Sequence, residues 1–194
     1  MKLDTPEGNF PPTRRLFAAS MFFAGYAPAA LSSCASPVTT PGDELTIEDV
    51  HVTGANGYAL PAYVARPSAR GRHAVVIVVN EIFGIHDYIK DVCRRFAREG
   101  YVAIAPDYFD RAGDPAPMTD FNAIRQIVGT ANNEQVMGDT EGAINWLKRQ
   151  PFVKADAIGI TGFCWGGSVV WMAAARFPDI KAGVAWYGRL VHPQ

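Results

Sequence analysis

The sequence lacks an excess of charge of either sign: 18 lysines and arginines stand against 19 aspartates and glutamates, for a formal net charge of −1. Without a basic surplus there is no electrostatic footprint for nucleic acid or any other polyanionic partner. Cysteine is scarce too. Cys34, Cys93 and Cys164 are the only three, too few and too scattered for a disulfide framework or a zinc site. A comfortable membrane span is missing, because the apolar run from Leu16 to Leu31 is short and broken by Gly25 and Pro28. There is no internal repeat, and no glycine-rich loop ends in the Gly-Lys-Ser/Thr of a phosphate cradle. What is present fits a globular chain of one domain's length, 194 residues of which 48% are hydrophobic.

The most informative stretch is Gly159-Ile160-Thr161-Gly162-Phe163-Cys164-Trp165-Gly166-Gly167-Ser168. An apolar strand pattern, Ala157 to Thr161, runs into Gly-x-Cys-x-Gly, and a helical stretch rich in Ala and Val follows from Ser168 to about Phe177. Strand, sharp turn and helix are the context of a nucleophile elbow. The flanking glycines have a steric reason, since neighbouring Cβ atoms would clash in so tight and strained a turn. Such a turn would expose the Cys164 thiol above the sheet beside a helix N-terminus, where an anion is favoured. A small buried cysteine at a close strand–helix crossing would need the same glycines, so the turn alone does not decide.

Residues 1–36 are expected to be an export signal. Arg14 and Arg15 directly precede the weakly apolar, Ala-rich run, an arrangement that resembles a twin-arginine signal, which is an address and not an anchor. The run ends in Leu31-Ser32-Ser33-Cys34, which also resembles a lipoprotein-processing box with Cys34 as the lipid-anchored first residue. Cleavage near Ala29 or Ala35 is the other option. Either way the product is expected in the periplasm. Residues 37–44 read as a linker, and 45–194 as the folded domain.

Within that domain, Leu45 to Val52 and Tyr58 to Val64 read as paired strands across Gly54-Ala55-Asn56-Gly57, a strong hairpin signal. Pro61 suggests an edge or irregular position for the second strand. Ala74 to Val79 is a continuous β-branched run, hence a strand buried on both faces. Ile89, Val92, Cys93, Phe96 and Ala97 recur at helical spacing, with Gly100 as the C-terminal cap, which makes Cys93 a core residue. Tyr101 to Ala105 is the next buried strand, and a Pro- and Asp-rich loop covers 107–120. Two helical patterns follow, around Phe121 to Val128 and Val136 to Leu147, before the Cys164 strand, its helix and a last strand from Ala182 to Tyr187. Strands alternating with helices predict a mostly parallel α/β sheet with helices on its faces.

Glu81 and Cys164 both fall just past the carboxyl ends of buried strands, where open α/β sheets bind ligands. A carboxylate in that position is hard to explain as a solvated surface charge; the remaining alternative is a structural Glu that accepts backbone N–H groups. Ile82 and Trp165 follow these two residues directly, so their N–H groups could converge on an oxyanion. His86, two residues beyond Gly84, falls near the mouth of such a crevice or on the first turn of the helix. His51 and His73 fall away from it.

Together, Asn80-Glu81-Ile82-Phe83-Gly84 and Gly162-Phe163-Cys164-Trp165-Gly166-Gly167 resemble the dienelactone hydrolase family, from Leu45 to the end of the sequence. The resemblance implies an α/β-hydrolase fold and carboxylic-ester or lactone hydrolysis through a cysteine nucleophile, with a small-molecule substrate and no cofactor or metal. It implies Cys164 as nucleophile and Glu81 as the carboxylate that holds the resting thiol and takes its proton. The N–H groups of Ile82 and Trp165 match the oxyanion hole. Tyr187 matches an aromatic near the pocket, and His86 joins it as a candidate substrate contact. Two more strands, carrying the Asp and the His of the triad, would follow Tyr187 in the family. His192 directly follows the sixth strand, the wrong station for that base, so the sequence reads as a hydrolase fold lacking its last two strands. The family's carboxylate-binding arginines find no matching motif in this sequence; Arg111, Arg125 and Arg189 lie only in the general region. A non-catalytic envelope binding protein or lipoprotein of the same fold is the alternative.

Overall fold

The structure, a computed structural model, describes residues 39–190. The expected export signal with Arg14, Arg15 and Cys34, and the tail residue His192, lie outside the described residues.

Among the described residues six strands form one sheet: β1 (Leu45–Thr53), β2 (Ala59–Pro67), β3 (His73–Val79), β4 (Val102–Pro106), β5 (Val153–Phe163) and β6 (Ile180–Trp186). Their spatial order is β1-β2-β4-β3-β5-β6. β4, β3, β5 and β6 run parallel, while β1 and β2 are antiparallel additions at one side. The α-helices that flank the sheet are α1 (Asp87–Arg98), α2 (Phe121–Thr130), α3 (Asn133–Lys148) and α4 (Trp165–Arg176). This is the expected mostly parallel α/β arrangement, with helices on both faces.

β3 and β4 read as unbroken apolar runs because both of their faces are buried. Alternate residues go to two cores. On one face, Val78, Ala103 and Ala105 meet Ile89, Val92, Cys93 and Ala97 of α1. On the other, Val75, Ile77, Val79, Val102 and Ile104 meet α3 and α4 through Val136, Ile144, Leu147, Val169 and Val170. Each large aliphatic side chain so buried is worth about 1.5–3 kcal/mol. α1 ends as its sequence suggests: Gly100 is left-handed at φ 92°, its N–H donates to Ala97 O, and Tyr101 N–H donates to Phe96 O, a Schellman closure. Cys93 is fully buried on the core side of α1, as its spacing predicts, and burial pushes its thiol well above the ordinary range.

Three details differ from the sequence expectations. β2 is an inner strand, flanked by β1 and β4, and not an edge. Pro61 is tolerated because it lies just beyond its neighbour's end: pairing with β4 begins at Ala62, and the Pro61 carbonyl accepts the Asp107 N–H instead. Residues 40–43, read as linker, are held on α1 by Arg98, which donates to the carbonyls of Pro41 and Asp43, and by the Thr40 N–H bond to Asp91. α4 starts at Trp165, three residues earlier than the Ala- and Val-rich pattern suggests. Two glycines at its start hide the helix from propensity, but close packing holds them in it.

Candidate active site

β3 and β5 are parallel neighbours whose last pair is Val79 with Gly162, so the chain leaves both strands side by side. Beyond β3 comes a tight turn in which Gly84 N–H donates to Glu81 O and Gly84 takes φ 73°. Beyond β5 the chain reverses at once into α4, with Cys164 as its N-cap at φ 55°, ψ −115°. That backbone is strained for any residue with a Cβ, at a cost of order 1–3 kcal/mol. It persists because its surroundings fix it. Cys164 N–H donates to the Trp186 carbonyl at 3.0 Å, and Gly167 N–H returns to Cys164 O at 3.1 Å. A Cβ on Gly166 would stand 2.5 Å from Asn80 O, and one on Gly167 would stand 2.7 Å from Trp186 O. The glycines of the motif are there for close approach of backbones.

The Cys164 residue is partly exposed at this strand–helix junction, in contrast to Cys93. Trp165, the first residue of α4, has an N–H with no intrahelical acceptor. Its indole is pinned by Phe109 at 4.7 Å and Tyr108 at 5.8 Å between ring centroids. Ile82 sits in the β3 exit turn. Two strand exits thus bring together the four residues singled out as nucleophile, carboxylate and oxyanion donors.

Glu81 is mostly buried, and its Oε1 accepts a 2.6 Å hydrogen bond from His86 Nε2. Its Oε2 is buried with no hydrogen-bond partner among the described residues, so the carboxylate bonds His86 and not the Cys164 thiol. Tyr187 follows β6 with φ 42° and is three-quarters exposed. Partial desolvation, and then the neighbouring charges of Glu81 and Cys164, hold its phenol above the usual range. His86 thus bonds Glu81 from beyond the β3 exit, while Tyr187 directly follows Trp186, whose carbonyl accepts the Cys164 N–H. His73, by contrast, bonds Gly100 O, and Arg111 is taken up by Asp139 and the Tyr58 ring.

Two participants were not assigned roles from sequence. Asn80 is fully buried, and its Nδ2 donates to Glu81 O at 2.7 Å, bracing the turn that carries the carboxylate. An amide directly after an apolar run was the signal available for it. Tyr88 stacks on His86 with ring centroids 6.3 Å apart, a contact set by the helix start that no local pattern announces. Among the described residues no group of His, Cys, Asp or Glu is arranged to hold a metal ion, and no helix is long and apolar enough to cross a membrane.

The pattern that defines the Dienelactone hydrolase family matches residues 60–194. A Methylorubrum extorquens protein named "Putative carboxymethylenebutenolidase" is 40% identical over 181 residues, covering 92% of this chain and 62% of that protein. An Escherichia coli K12 protein of the same name is 42% identical over 169 residues, covering 86% of this chain and 62% of its own. The crystal structure of a Klebsiella pneumoniae "Putative Dienelactone Hydrolase" superposes with a TM-score of 0.72 at 42% identity, covering 77% of this chain and 62% of that one. The chain thus spans 62% of the length of each of these relatives.

Proposed function

The chain belongs to the dienelactone hydrolase family, and on that premise we propose that the protein hydrolyses carboxylic esters or lactones through Cys164. The observation that carries this reading is the Cys164 backbone, held at φ 55°, ψ −115° on the N-terminus of α4, beside a mostly buried carboxylate at the exit of the adjacent strand.

In this mechanism the Cys164 sulfur attacks the ester carbonyl carbon. The S–C bond forms as the carbonyl electron pair moves onto oxygen, and the thiol proton passes to Glu81. The N–H groups of Ile82 and Trp165 bind the oxyanion. Collapse breaks the C–O bond, and the proton returns to the departing alkoxide. Water then hydrolyses the thioester, releasing the acid and restoring the thiol. Tyr187 contacts the substrate at the crevice rim. The resemblance assigns the base for the water step to stretches that follow Tyr187 in the family. The test is therefore made on a version extended to the relatives' length, with a panel of chromogenic esters and lactones. Turnover that disappears in Cys164→Ala and falls about a hundredfold or more in Glu81→Gln is expected. Turnover unchanged in Cys164→Ala would overturn the assignment, and no turnover on any ester or lactone would favour a non-catalytic binding protein.

Export to the periplasm belongs to the same proposal and rests on Arg14 and Arg15 ahead of a modest apolar run. Replacing both arginines with lysine should hold the precursor in the cytoplasm, and fatty-acid labelling that depends on Cys34 would identify a lipoprotein.

A further inference from the structure

His86 is the N-cap of α1, yet its side chain makes no capping hydrogen bond. Histidine at that position would ordinarily be a solvent-facing residue of the first turn. In this fold the ring turns back across the β3 exit loop, and Nε2 donates to Glu81 Oε1 at 2.6 Å. Accepting a thiol proton requires Glu81 to be ionised, and an ionised carboxylate offers only acceptors, so in that state the proton of this bond sits on Nε2. The Tyr88 ring stacks alongside the His86 ring, with centroids 6.3 Å apart and planes at 20°. The His86 side chain is only about a quarter exposed. One oxygen of Glu81 is therefore fixed, while Oε2 stays buried without a partner among the described residues. A buried carboxylate oxygen with no donor is a costly arrangement unless something arrives to use it. The proton of the Cys164 thiol is what the proposed reaction delivers there.

We propose that His86 is a positioning residue that acts through Glu81, its Nε2–H clamping Oε1 so that Oε2 is kept ready to accept the proton from Cys164 during acyl transfer. This rests on the assignment of Cys164 as nucleophile and gives His86 a different part from a substrate contact. The balance is that of the acylation step. Oε2 gains the thiol proton as the S–C bond forms and returns it to the leaving alkoxide, and the His86 proton stays on Nε2 throughout.

Acylation by an activated ester isolates this step, because it needs no water-activating base. Whole chain carrying Cys34→Ser is treated with p-nitrophenyl acetate, nitrophenolate release is followed, and the acetylated residue is located by peptide mass mapping. Acetyl is expected on Cys164, slowed about a hundredfold or more in Glu81→Gln. His86→Ala should slow it about tenfold or more, the scale for loss of an orienting partner. His86→Gln, whose amide nitrogen can stand where Nε2 stands, should recover most of the rate. If His86→Ala acylates at the parent rate while Glu81→Gln is slow, the positioning role is overturned and the nucleophile assignment stands. If both His86 variants are equally slow, the donor hydrogen bond is not what matters and the proposal also falls. If the parent chain carries no acetyl on Cys164, the failure lies in the assignment of the nucleophile itself.

Discussion

Gly166 lies so close under the exit of β3 that a Cβ there would stand 2.5 Å from the Asn80 carbonyl oxygen and 2.6 Å from that of Val79. The elbow that carries Cys164 is thus packed directly against the end of β3, from which the Glu81 turn departs, with room for no side chain between them. Gly166→Ala should destabilise the protein by about 2–3 kcal/mol or more, because both obstacles are backbone and neither can swing aside. Gly129 in α2 is the control. A Cβ there meets nothing within 4 Å, and Gly129→Ala should be neutral to stabilising by about 0.5–1 kcal/mol. Urea midpoints of the two variants check the contrast.

Asp107, just past β4, has its carboxyl pushed up to about 6. Burial is the largest cause, the Phe109 N–H works against it, and the charges of Asp110 and Asp114 add to it. A group whose folded value lies above its unfolded one binds protons more tightly when folded. Its ionisation therefore costs stability, which falls as pH rises from about 4 to 6 and stays reduced above that. Asp107→Asn should stabilise the protein at pH 7 by up to about 2–3 kcal/mol, and the gain should vanish near pH 4. Denaturation midpoints at the two pH values decide it; a gain that persists at pH 4 would contradict the buried charge as its origin.

Asp139 is completely buried in α3 and is bound by both outer nitrogens of Arg111, at 2.7 and 2.8 Å, and by the Ala55 N–H. Arg111 also stacks on Tyr58, 4.1 Å from its ring centroid. Removing the guanidinium leaves a buried charge with one donor, so Arg111→Met should cost about 3–5 kcal/mol. Adding Asp139→Asn should recover part of that loss, because the uncompensated charge is gone. Additive losses in the double-mutant cycle would show that the pair is not coupled.

β6 pairs only with β5 among the described residues, and Val184 and Trp186 on it are each about half exposed. An apolar strand with one free edge is a template for pairing with another chain. The 194-residue chain is expected to self-associate, and Val184→Lys should shift light scattering toward the monomer. A monomeric parent chain would show the edge to be protected.

The alternation of strands and helices, the burial of Cys93, the closure of α1 at Gly100, and the two strand exits that carry Glu81 and Cys164 were all legible in the residue pattern. These are local properties: period 2 or 3.6, β-branching, and glycine where the chain turns sharply. Most of the remaining features depend on contacts between segments distant in the chain. The order β4-β3-β5 is what sets the two exits side by side, and no local pattern records which strands will be neighbours. The glycines that depress helix propensity after Cys164 became the first turn of α4, because only residues without a Cβ fit against the Asn80 and Trp186 carbonyls. Pro61 lies in an inner strand because its neighbour ends one residue short of it. The Glu81–His86 bond joins residues five apart. It forms because the Gly84 turn folds the ring of a helix-capping residue back onto the loop, and this depends on dihedral angles that residue identity alone leaves open.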